Sequence, residues 1–510
     1  MTLGETFRIA IIGGGLAGLS LAIGLKQKGF QNLIVYEREE NSHVRHQGWS
    51  VSLMAPEGGL GFIKQLGILP ELSAISFQPS FRAVDGSTLL FVRGTENGRR
   101  FKRAELRDAL YQVCVREGIE VVWDARVKSF EEIDNKVHVH FVDETKHEME
   151  TVDLLIGADG AHSPIRKQLT GDEAQAVGFN SIVGLIKKVP DGSNDDLFEH
   201  EYVRNSGVLV SGRNVSCWYA HHVLHDEVYW SLSIRSEEDF LRQRTDYDKK
   251  KLHDLALEYS QKFFPLIQIL VQRTPIEQMQ DCLIFKDIEP MKRDASGRYC
   301  VSQTGRITLV GDSAHAMIPF RGQGGNTALM AAWNLTEKLG AIANRTTITN
   351  DELNEILMQY ENERIPLGTL EILESRENAE RFHSANVVRN FVRNTIMRTT
   401  MSELSRKAFV EKFIHDLTSS NMSNLDRYLE DDIQKTVDSK IVLSNINEAR
   451  EYYKKEQDGK STSQWTIVEC EPEDPKNNLL RARISHANKT FDTVYTFSPV
   501  GKIQRIDAVS

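Results

Sequence analysis

The chain has few cysteines, and their spacing argues against several kinds of site. Five cysteines lie far apart in 510 residues, at positions 114, 217, 282, 300 and 470, without a C-x-x-C pair. This spacing suggests neither a disulfide framework nor a thiolate metal site, and it favours a reducing compartment. His221 and His225 have a spacing that occurs in zinc sites. On a strand and turn their side chains would diverge, so no metal site is predicted.

Excess positive charge and long hydrophobic runs are also lacking. The formal net charge of −10 and the pI of about 5.9 argue against a nucleic-acid-binding or anionic-membrane surface. The most apolar segment, residues 9–25, is shorter than the ~20 residues of a membrane-spanning helix and contains five glycines. We therefore predict a cytoplasmic protein without a transmembrane segment, while contact of a loop with a membrane surface stays open. The length predicts two or three domains.

The most informative stretch is residues 306–335. Residues 307–310 are a short β-rich apolar run that predicts a buried strand, and Asp312 follows its end. The next loop leads into a predicted helix and carries Pro319, Gly322, Gly324, Gly325 and Asn326. Such a loop lets a flat ligand approach the backbone, and the helix start favours a negative group. An aspartate there can bind a sugar hydroxyl, so the pattern predicts a ligand such as a flavin.

A second glycine-rich turn lies near the N-terminus. Residues 7–12 predict a strand, Gly13-x-Gly15-x-x-Gly18 leads into a helix over 17–28, and a strand over 33–36 ends at Glu37. This is the pattern of a dinucleotide fold, in which glycines admit a pyrophosphate and the acid accepts from ribose hydroxyls. The negative charge of Glu37 also disfavours a 2′-phosphate, as in NADP. The turn alone does not separate FAD from NAD, but the remote Asp312 loop favours FAD, because FAD is long enough to need both.

The motifs resemble those of a known family. GDSAH at 311–315, followed by P-x-x-G-Q-G and Asn, resembles the second flavin motif of the single-component FAD-dependent aromatic hydroxylases, which include para-hydroxybenzoate hydroxylase and the tetracycline-inactivating monooxygenases. DLLIGADGAHSPIRKQL at 153–169 resembles their D-G motif, and the resemblance covers roughly residues 5–385. It implies that Asp312 binds the ribityl chain or the adjoining phosphate. The loop from Pro319 is then expected to face the isoalloxazine.

Further cofactor residues follow from the same resemblance. Gly48 lies in a loop that would pass the flavin edge, although an ordinary turn is the alternative. Arg103 begins an R-x-x-L segment whose arginine would lie along the FAD pyrophosphate, where a guanidinium suits phosphate. Arg107, one turn on, is expected to face solvent. Asp159 is either a ligand contact or a turn-stabilising residue.

The resemblance also implies the reaction. No second nucleotide fingerprint is present, so NAD(P)H is expected as a transient co-substrate. In the family, the reduced flavin reacts with O2 to a C4a-hydroperoxide that oxidises a small, electron-rich molecule, here expected to be a secondary metabolite. The N–H groups around Gly324, Gly325 and Asn326 would stabilise charge near flavin N1 and O2. Arg321 is a candidate catalytic residue, with pairing to an acidic surface residue as the alternative.

Residues 172–289 lack flavin motifs and alternate as β-strands, notably over 208–210, 215–223 and 227–234. In relatives such a sheet covers the isoalloxazine. Alternation places Cys217, Tyr219 and His221 on one face and Trp218, Ala220 and His222 on the other. The pattern does not say which face meets the substrate, and Tyr219 is our second candidate catalytic residue.

The predicted fold class is α/β, with a Rossmann-type FAD-binding domain, an interleaved antiparallel β substrate domain and a C-terminal α+β cone-shaped domain. The expected boundaries are 1–171 and 290–405 for the FAD-binding domain with its closing helices, 172–289 for the substrate domain and 406–510 for the cone. In the closing helices, Glu361 and Arg364 are expected to pair on the surface. The C-terminal region resembles nuclear transport factor 2, ketosteroid isomerase and the polyketide cyclases. It either forms a second pocket lined by Trp465, His486 and Asp492, or dimerises or buttresses the flavoprotein.

The leading hypothesis is thus an FAD-dependent monooxygenase that uses NAD(P)H and O2 to hydroxylate or epoxidise a small molecule. A flavin halogenase or a non-oxygenating reductase is the enzymatic alternative, and the halogenase is weakened because no W-x-W spacing is present. A ligand-binding carrier with an idle flavin site is the alternative from another class.

Overall fold

The computed structural model describes most of the chain. The described ranges are 1–42, 49–54, 58–68, 98–200, 214–235, 248–280, 282–294, 297–300, 304–384, 425–458, 465–471, 479–486, 489–497 and 503–509, with shorter pieces between them. The chain forms two compact units, Met1–Thr88 with Gly94–Asn390, and Leu89–Arg93 with Phe391–Ser510.

A parallel sheet forms the centre of the first unit. Its strands run in the order Ile307–Leu309, Leu154–Gly157, Ile9–Ile12, Leu33–Tyr36 and Glu120–Val122, and every pair of neighbours is parallel. The three middle strands are buried along their whole length. Continuous apolar runs of this kind are expected where helices cover both faces of a sheet. The predicted α/β class is confirmed.

The helices Leu16–Gln27 and Gly324–Gly340 pack against each other on this sheet and share its main apolar core. Two further long helices, Arg103–Arg116 and Asn350–Phe382, add to that core through residues such as Leu110 and Leu357. The remaining helices within the described part of the unit are Leu3–Thr6, Gly59–Gln65, Pro164–Thr170, Asp195–Glu199, Lys249–Ser260, Pro265–Gln272 and Asp312–His315, with 3₁₀ turns at Val223–His225, Ile276–Gln278 and Pro319–Arg321.

Two three-stranded sheets flank the parallel one. The first is an antiparallel meander of Val127–Ile133, Lys136–Phe141 and Glu150–Val152. In the second, Arg99–Lys102 lies between Ser50–Leu53 and Ile75–Ser76. Leu53 and Phe101 of this second sheet belong to the main core. The sheet is thereby held against the helix Gly324–Gly340.

Most strands of a larger, chiefly antiparallel sheet lie in the chain between the parallel strands Leu154–Gly157 and Ile307–Leu309, and its strand Ser80–Arg82 comes from earlier in the chain. The neighbouring strands are, in order, Leu283–Asp287, Gln175–Lys187, Glu227–Arg235, Val215–His222, Gly207–Leu209 and Ser80–Arg82. One face packs on the helices Lys249–Ser260 and Pro265–Gln272 in a separate apolar core. We call this the inserted sheet.

The second unit is built on a six-stranded sheet. Its order is Lys440–Leu443, Leu429–Val437, Ile503–Val509, Lys489–Phe497, Leu479–His486 and Thr466–Glu471. The helices Leu425–Tyr428 and Ile446–Asp458 cover an apolar face of the sheet. A further short strand, Thr88–Phe91, lies earlier in the chain.

Among the described helices, none combines the length and the apolar character that crossing a bilayer requires. Within the same described ranges, no three histidine, cysteine or acidic side chains are grouped so that they could hold a metal ion.

Candidate active site

Three loops meet at the carboxyl edge of the parallel sheet. They are residues 13–15, 158–160 and 310–312, each following one of three adjacent strands. The Ala158 N–H donates to Ile12 O over 2.7 Å, and the Val310 N–H donates to Gly157 O over 2.8 Å. The motifs that lie about three hundred residues apart in sequence are therefore neighbours in space. Ligands of open α/β sheets bind outside this edge.

The glycines of these loops divide into tightly packed and open positions. Gly13 has a φ of +114°, and a Cβ on it would lie 2.4 Å from Ala158 O. A Cβ on Gly18 would lie 2.0 Å from Gly13 O, so close packing of the backbone requires glycine at both positions. Gly15 and Gly322 instead have no atom within 4 Å of an added Cβ. The open side of Gly15 lies at the start of the helix Leu16–Gln27, where a pyrophosphate fits.

Glu37 is built into the first glycine loop. Its carboxylate is 2% exposed and accepts hydrogen bonds from the Gly14 N–H at 2.8 Å and the Glu39 N–H at 3.0 Å. Arg107 lies 3.3 Å from the same carboxylate and donates from Nε to Gly14 O at 2.7 Å. The expectation that Arg107 faces solvent is wrong, because its helix packs on Leu16–Gln27 and turns this residue inward. The ribose contact of Glu37 stays a prediction.

The other two predicted residues of this region stay predictions as well. Arg103 is the first residue of the helix Arg103–Arg116, and its side chain is exposed. Its backbone N–H donates to Trp49 O at 3.2 Å. Gly48 lies outside the described residues.

Two charged groups are covered after strand Leu154–Gly157, the carboxylate of Asp159 in the loop and the side chain of Arg166 in the helix Pro164–Thr170. Both carboxylate oxygens of Asp159 are covered, and burial raises its pKa to about 6 against the opposing effects of the Ser163 hydroxyl and Arg166. Arg166 is 1% exposed and donates to Ala161 O at 2.6 Å and to Ser313 O at 3.2 Å. Arg166 therefore joins the second loop to the third. Sequence reasoning gave it no role, although its place at the end of the D-G motif was the available signal.

Asp312 begins the short helix Asp312–His315 at the end of the third strand. Gly311 before it has a φ of +70°, and a Cβ there would lie 3.0 Å from Ala17 Cβ. Ser313 donates from Oγ to Gly157 O at 2.6 Å. Asp312 is thus held at the sheet edge, beside the first helix of the glycine fingerprint and only partly buried.

Segment 319–326 forms the wall of the site beyond Asp312. Pro319 starts a 3₁₀ turn that ends at Gly322, whose φ is +65°. Gly324 begins the helix, and an added Cβ there meets only one atom, 4.0 Å away. At Gly325 a Cβ would lie 2.5 Å from Val51 Cγ2, so strand Ser50–Leu53 packs directly on this turn. The first backbone N–H groups of the helix lack intrahelical acceptors and attract a negative group.

Asn326 has a structural use that the pattern did not indicate. It is 3% exposed, and its Oδ1 accepts from the Met54 N–H at 2.9 Å and the Gly59 N–H at 3.0 Å. Its Nδ2 donates to Ser52 O at 3.0 Å. The side chain ties the helix start to the neighbouring strand and turn, which leaves its backbone N–H as the group that could meet a cofactor.

Arg321 projects from the same segment toward the long helix Asn350–Phe382. Its Nε donates to Glu371 Oε2 at 2.8 Å, and its Nη1 contacts Glu374. The structure therefore has the acidic pairing that was the alternative for this residue. Its catalytic role stays a prediction.

The inserted sheet turns its two faces to different neighbours. Tyr219 is fully buried in the apolar core that includes Trp230 and Leu266. Trp218 points the other way, with its ring centroid 6.5 Å from that of Trp49, which precedes strand Ser50–Leu53. A reactant between the inserted sheet and segment 319–326 would meet the Trp218 face. We therefore correct the expectation for Tyr219, whose side chain lies on the face that packs against helices.

Comparisons with known proteins agree with this geometry. A family model described as an FAD binding domain matches residues 6–375. The FAD-dependent monooxygenase thnD of Trichoderma harzianum is 27% identical over 400 residues, which cover 72% of this chain and 92% of that protein. Kynurenine 3-monooxygenase of Christiangramia forsetii is 24% identical over 429 residues, covering 79% and 84%.

Solved structures share the fold. Klebsiella pneumoniae HpxO, crystallised with FAD and uric acid, superposes with a TM-score of 0.62 at 22% identity, covering 76% of this chain and 92% of that one. The open glycine at the start of the first helix and the third loop beside it fit FAD as the cofactor. The chain belongs to the FAD-binding domain family and is an FAD-dependent monooxygenase of the para-hydroxybenzoate hydroxylase-like group.

Proposed function

We propose that this monooxygenase uses NAD(P)H and O2 to hydroxylate or epoxidise a small, electron-rich secondary metabolite. Its relatives include a kynurenine 3-monooxygenase and a zeaxanthin epoxidase from Prunus armeniaca, the latter 26% identical over 385 residues and matched over 53% of its length. Fungal FAD-dependent monooxygenases such as thnD are among its relatives, which is consistent with a secondary metabolite as the substrate. Bound FAD, once reduced, supplies the electrons that activate O2.

The residues proposed to hold FAD share a place along the carboxyl edge of the parallel sheet. The start of the helix after Gly15 binds the pyrophosphate of FAD. Glu37 binds the adenosine ribose, and Asp312 binds the ribityl region. The backbone N–H groups at 324–326 stabilise negative charge at the pyrimidine edge of the ring. The proposed set among the described residues is Gly13, Gly15, Gly18, Glu37, Arg103, Asp159, Asp312, Pro319, Gly322, Gly324, Gly325 and Asn326, and Gly48 stays a prediction outside them.

The protein's own contribution is to orient the reactants and exclude water between the inserted sheet and segment 319–326. Arg321 places a positive charge in the turn of that segment, and it contributes to catalysis if its pairing with Glu371 is exchanged during turnover. NAD(P)H binds transiently between the inserted sheet and segment 319–326. The negative charge of Glu37 keeps a 2′-phosphate out of the adenosine subsite.

The main support for this proposal is that the three motif loops lie together at the carboxyl edge of the parallel sheet. The test is a survey of oxygen-dependent NADH and NADPH consumption by the purified holoenzyme over a metabolite library, with ¹⁸O2 to trace the product oxygen. We expect consumption only when an acceptable substrate is present, and one ¹⁸O atom in the product. Turnover that continues anaerobically would favour a non-oxygenating reductase, and absence of O2 uptake with every compound would refute the proposal.

For the second unit we propose a nuclear transport factor 2-like role in assembly. Support comes from its six-stranded sheet with the helix Ile446–Asp458 packed against one face. We expect a homodimer that forms through this unit. Light scattering of the full chain tests the stoichiometry, and a monomer at micromolar concentration would contradict it.

A further inference from the structure

The position of Trp218 follows from a short series of contacts that starts at segment 319–326. Gly325 packs on Val51, and Trp49 immediately precedes the strand that contains Val51. The ring of Trp49 lies 6.5 Å from that of Trp218 and 5.2 Å from that of Tyr229, stacked on the latter at 15°. Trp218 therefore packs beside Trp49, next to the strand that contacts the segment proposed to face the isoalloxazine.

The Trp218 ring is fixed by its neighbours. Tyr229, from the adjacent strand, lies 5.1 Å away at an interplanar angle of 61°. Trp49 approaches at 66°, and the Arg100 guanidinium lies over the indole, 5.5 Å from its centroid. Trp49 is itself held by a hydrogen bond from Nε1 to Glu227 Oε2 at 3.2 Å. An aromatic ring held on several sides loses little conformational freedom when a ligand stacks on it.

Trp218 nevertheless keeps an accessible surface. It is only partly buried, whereas Ser216 and Ala220, its neighbours on the same face of the strand, are fully buried. The indole of Trp218 thus keeps accessible area on a face where the neighbouring side chains are covered, and a flat ring can stack on such an aromatic surface.

The charge of Arg100, which lies over the Trp218 indole, affects which ligand rings would stack well on Trp218. Burial lowers the pKa of Arg100 to about 9, so the guanidinium is still charged at neutral pH. Arg100 is 1% exposed and contacts the indole rather than the open site. A cation over an indole withdraws electron density from the ring. The accessible part of Trp218 therefore matches an electron-rich ring better than an electron-poor one.

We propose that Trp218 is the stacking platform of the substrate site, and that the substrate presents a flat, conjugated, electron-rich ring to it. This proposal rests on the proposed function and narrows its substrate class, since a saturated or strongly puckered terpenoid skeleton would not stack. Trp49, Tyr229 and Arg100 are positioning residues that act through Trp218.

The test compares two probes that carry the same hydroxyl group, flat 1-naphthol and saturated decahydro-1-naphthol. Binding to the holoenzyme is measured by perturbation of the flavin absorbance. We expect Trp218→Leu to weaken 1-naphthol binding roughly ten- to a hundred-fold, and Trp218→Phe less than about five-fold, because phenylalanine restores a stacking ring. Binding of the saturated probe should change less than about three-fold in both variants. Trp333→Leu, which removes a partly buried indole stacked on Phe62, is the matched control and should change neither affinity.

Equal binding of the two probes, binding of neither, or unchanged 1-naphthol binding by Trp218→Leu would overturn the proposal. The outcome is separable from that of the proposed function. An enzyme that binds 1-naphthol through Trp218 yet consumes no O2 with any compound refutes the function alone. Substrate-dependent turnover that is insensitive to Trp218→Leu refutes the platform alone.

Discussion

Replacement of Arg166 tests whether the second and third loops act as one FAD site. Arg166 is 1% exposed, and its guanidinium donates to the carbonyl oxygens of the residues directly after the two loops, Ala161 O at 2.6 Å and Ser313 O at 3.2 Å. Arg166→Met keeps most of the apolar stem but removes every donor. Both carbonyls then lose their charged partner, and the connection between the loops weakens.

The size of the effect follows from these contacts. Two hydrogen bonds to a charged group contribute about 1.5–3 kcal/mol each. The loops are also joined by the Val310–Gly157 bond of 2.8 Å and the Ser313–Gly157 bond of 2.6 Å, which the substitution leaves intact. We therefore expect about half of the loss to reach the FAD site. This is roughly 1.5–3 kcal/mol, or about 10- to 150-fold weaker FAD binding.

The assay is titration of FAD into apoprotein, followed by quenching of flavin fluorescence. Arg166→Lys should give an intermediate Kd, because one ammonium cannot reproduce a fork of donors. Arg345→Met is the matched control, since Arg345 pairs with Glu352 at 2.6 Å on the surface with both side chains more than two-fifths exposed. An unchanged Kd for Arg166→Met in a protein that unfolds at its normal temperature would refute the reasoning.

Three further predictions concern buried and paired charges. Glu361→Ala should destabilise the protein by about 3–5 kcal/mol in denaturant unfolding, because it leaves Arg298 buried without its carboxylate; adding Arg298→Met should recover part of the loss. Burial raises the pKa of Asp159 from 3.8 to about 6, so the stability tied to its protonated form is lost as the pH rises through about 6. Between pH 4 and 7, the free energy of unfolding measured in urea should fall by about 2–3 kcal/mol less in Asp159→Asn than in the unsubstituted protein. An equal fall in the two proteins would contradict this prediction. Arg321→Ala should lower kcat without loss of bound FAD and with a stability change below about 1 kcal/mol, since its pair with Glu371 is partly exposed; unchanged turnover removes Arg321 from the mechanism.

The parallel strands could be predicted closely because their signal is local. Residues 33–36 were predicted as a strand and form one with those bounds. The predicted strand over 307–310 ends one residue after the observed Ile307–Leu309, and the predicted helix over 17–28 is shifted by one residue at both ends from the observed Leu16–Gln27. Short apolar runs that stop at glycine leave little choice of element when both faces of the sheet are covered.

Residues 121–127 show why alternation alone was insufficient. Their alternating pattern predicts one antiparallel strand, but Glu120–Val122 joins the edge of the parallel sheet and Val127–Ile133 begins the antiparallel meander. The break is at Asp124, whose φ is +55°. Aspartate is one of the few non-glycine residues that tolerate this conformation, so the sequence contained only a weak turn signal.

Side-chain partners across the core were the least predictable feature. Glu361 was expected to pair with Arg364 on the helix surface, and this is wrong, because Glu361 is fully buried and bonds Arg298 at 2.6 and 2.8 Å. Neighbouring Tyr360 donates to Leu309 O at 2.8 Å, so this side of the helix faces the parallel sheet. Spacing along a helix identifies candidate pairs, but only packing decides which of its faces is inside.

The insertion of the second sheet explains how one flavin site can serve different substrates. The inserted sheet leaves and rejoins the parallel sheet at two adjacent strands, whose loops Arg166 joins. Phe320 of segment 319–326 lies 5.8 Å from Phe179 of the inserted sheet, ring to ring, so the two parts also touch beside the site. The loops owe their geometry to strand pairing and Arg166, and not to the Trp218 face of the inserted sheet. Side chains on that face, Trp218 among them, can therefore differ between enzymes with different substrates while FAD binding is preserved.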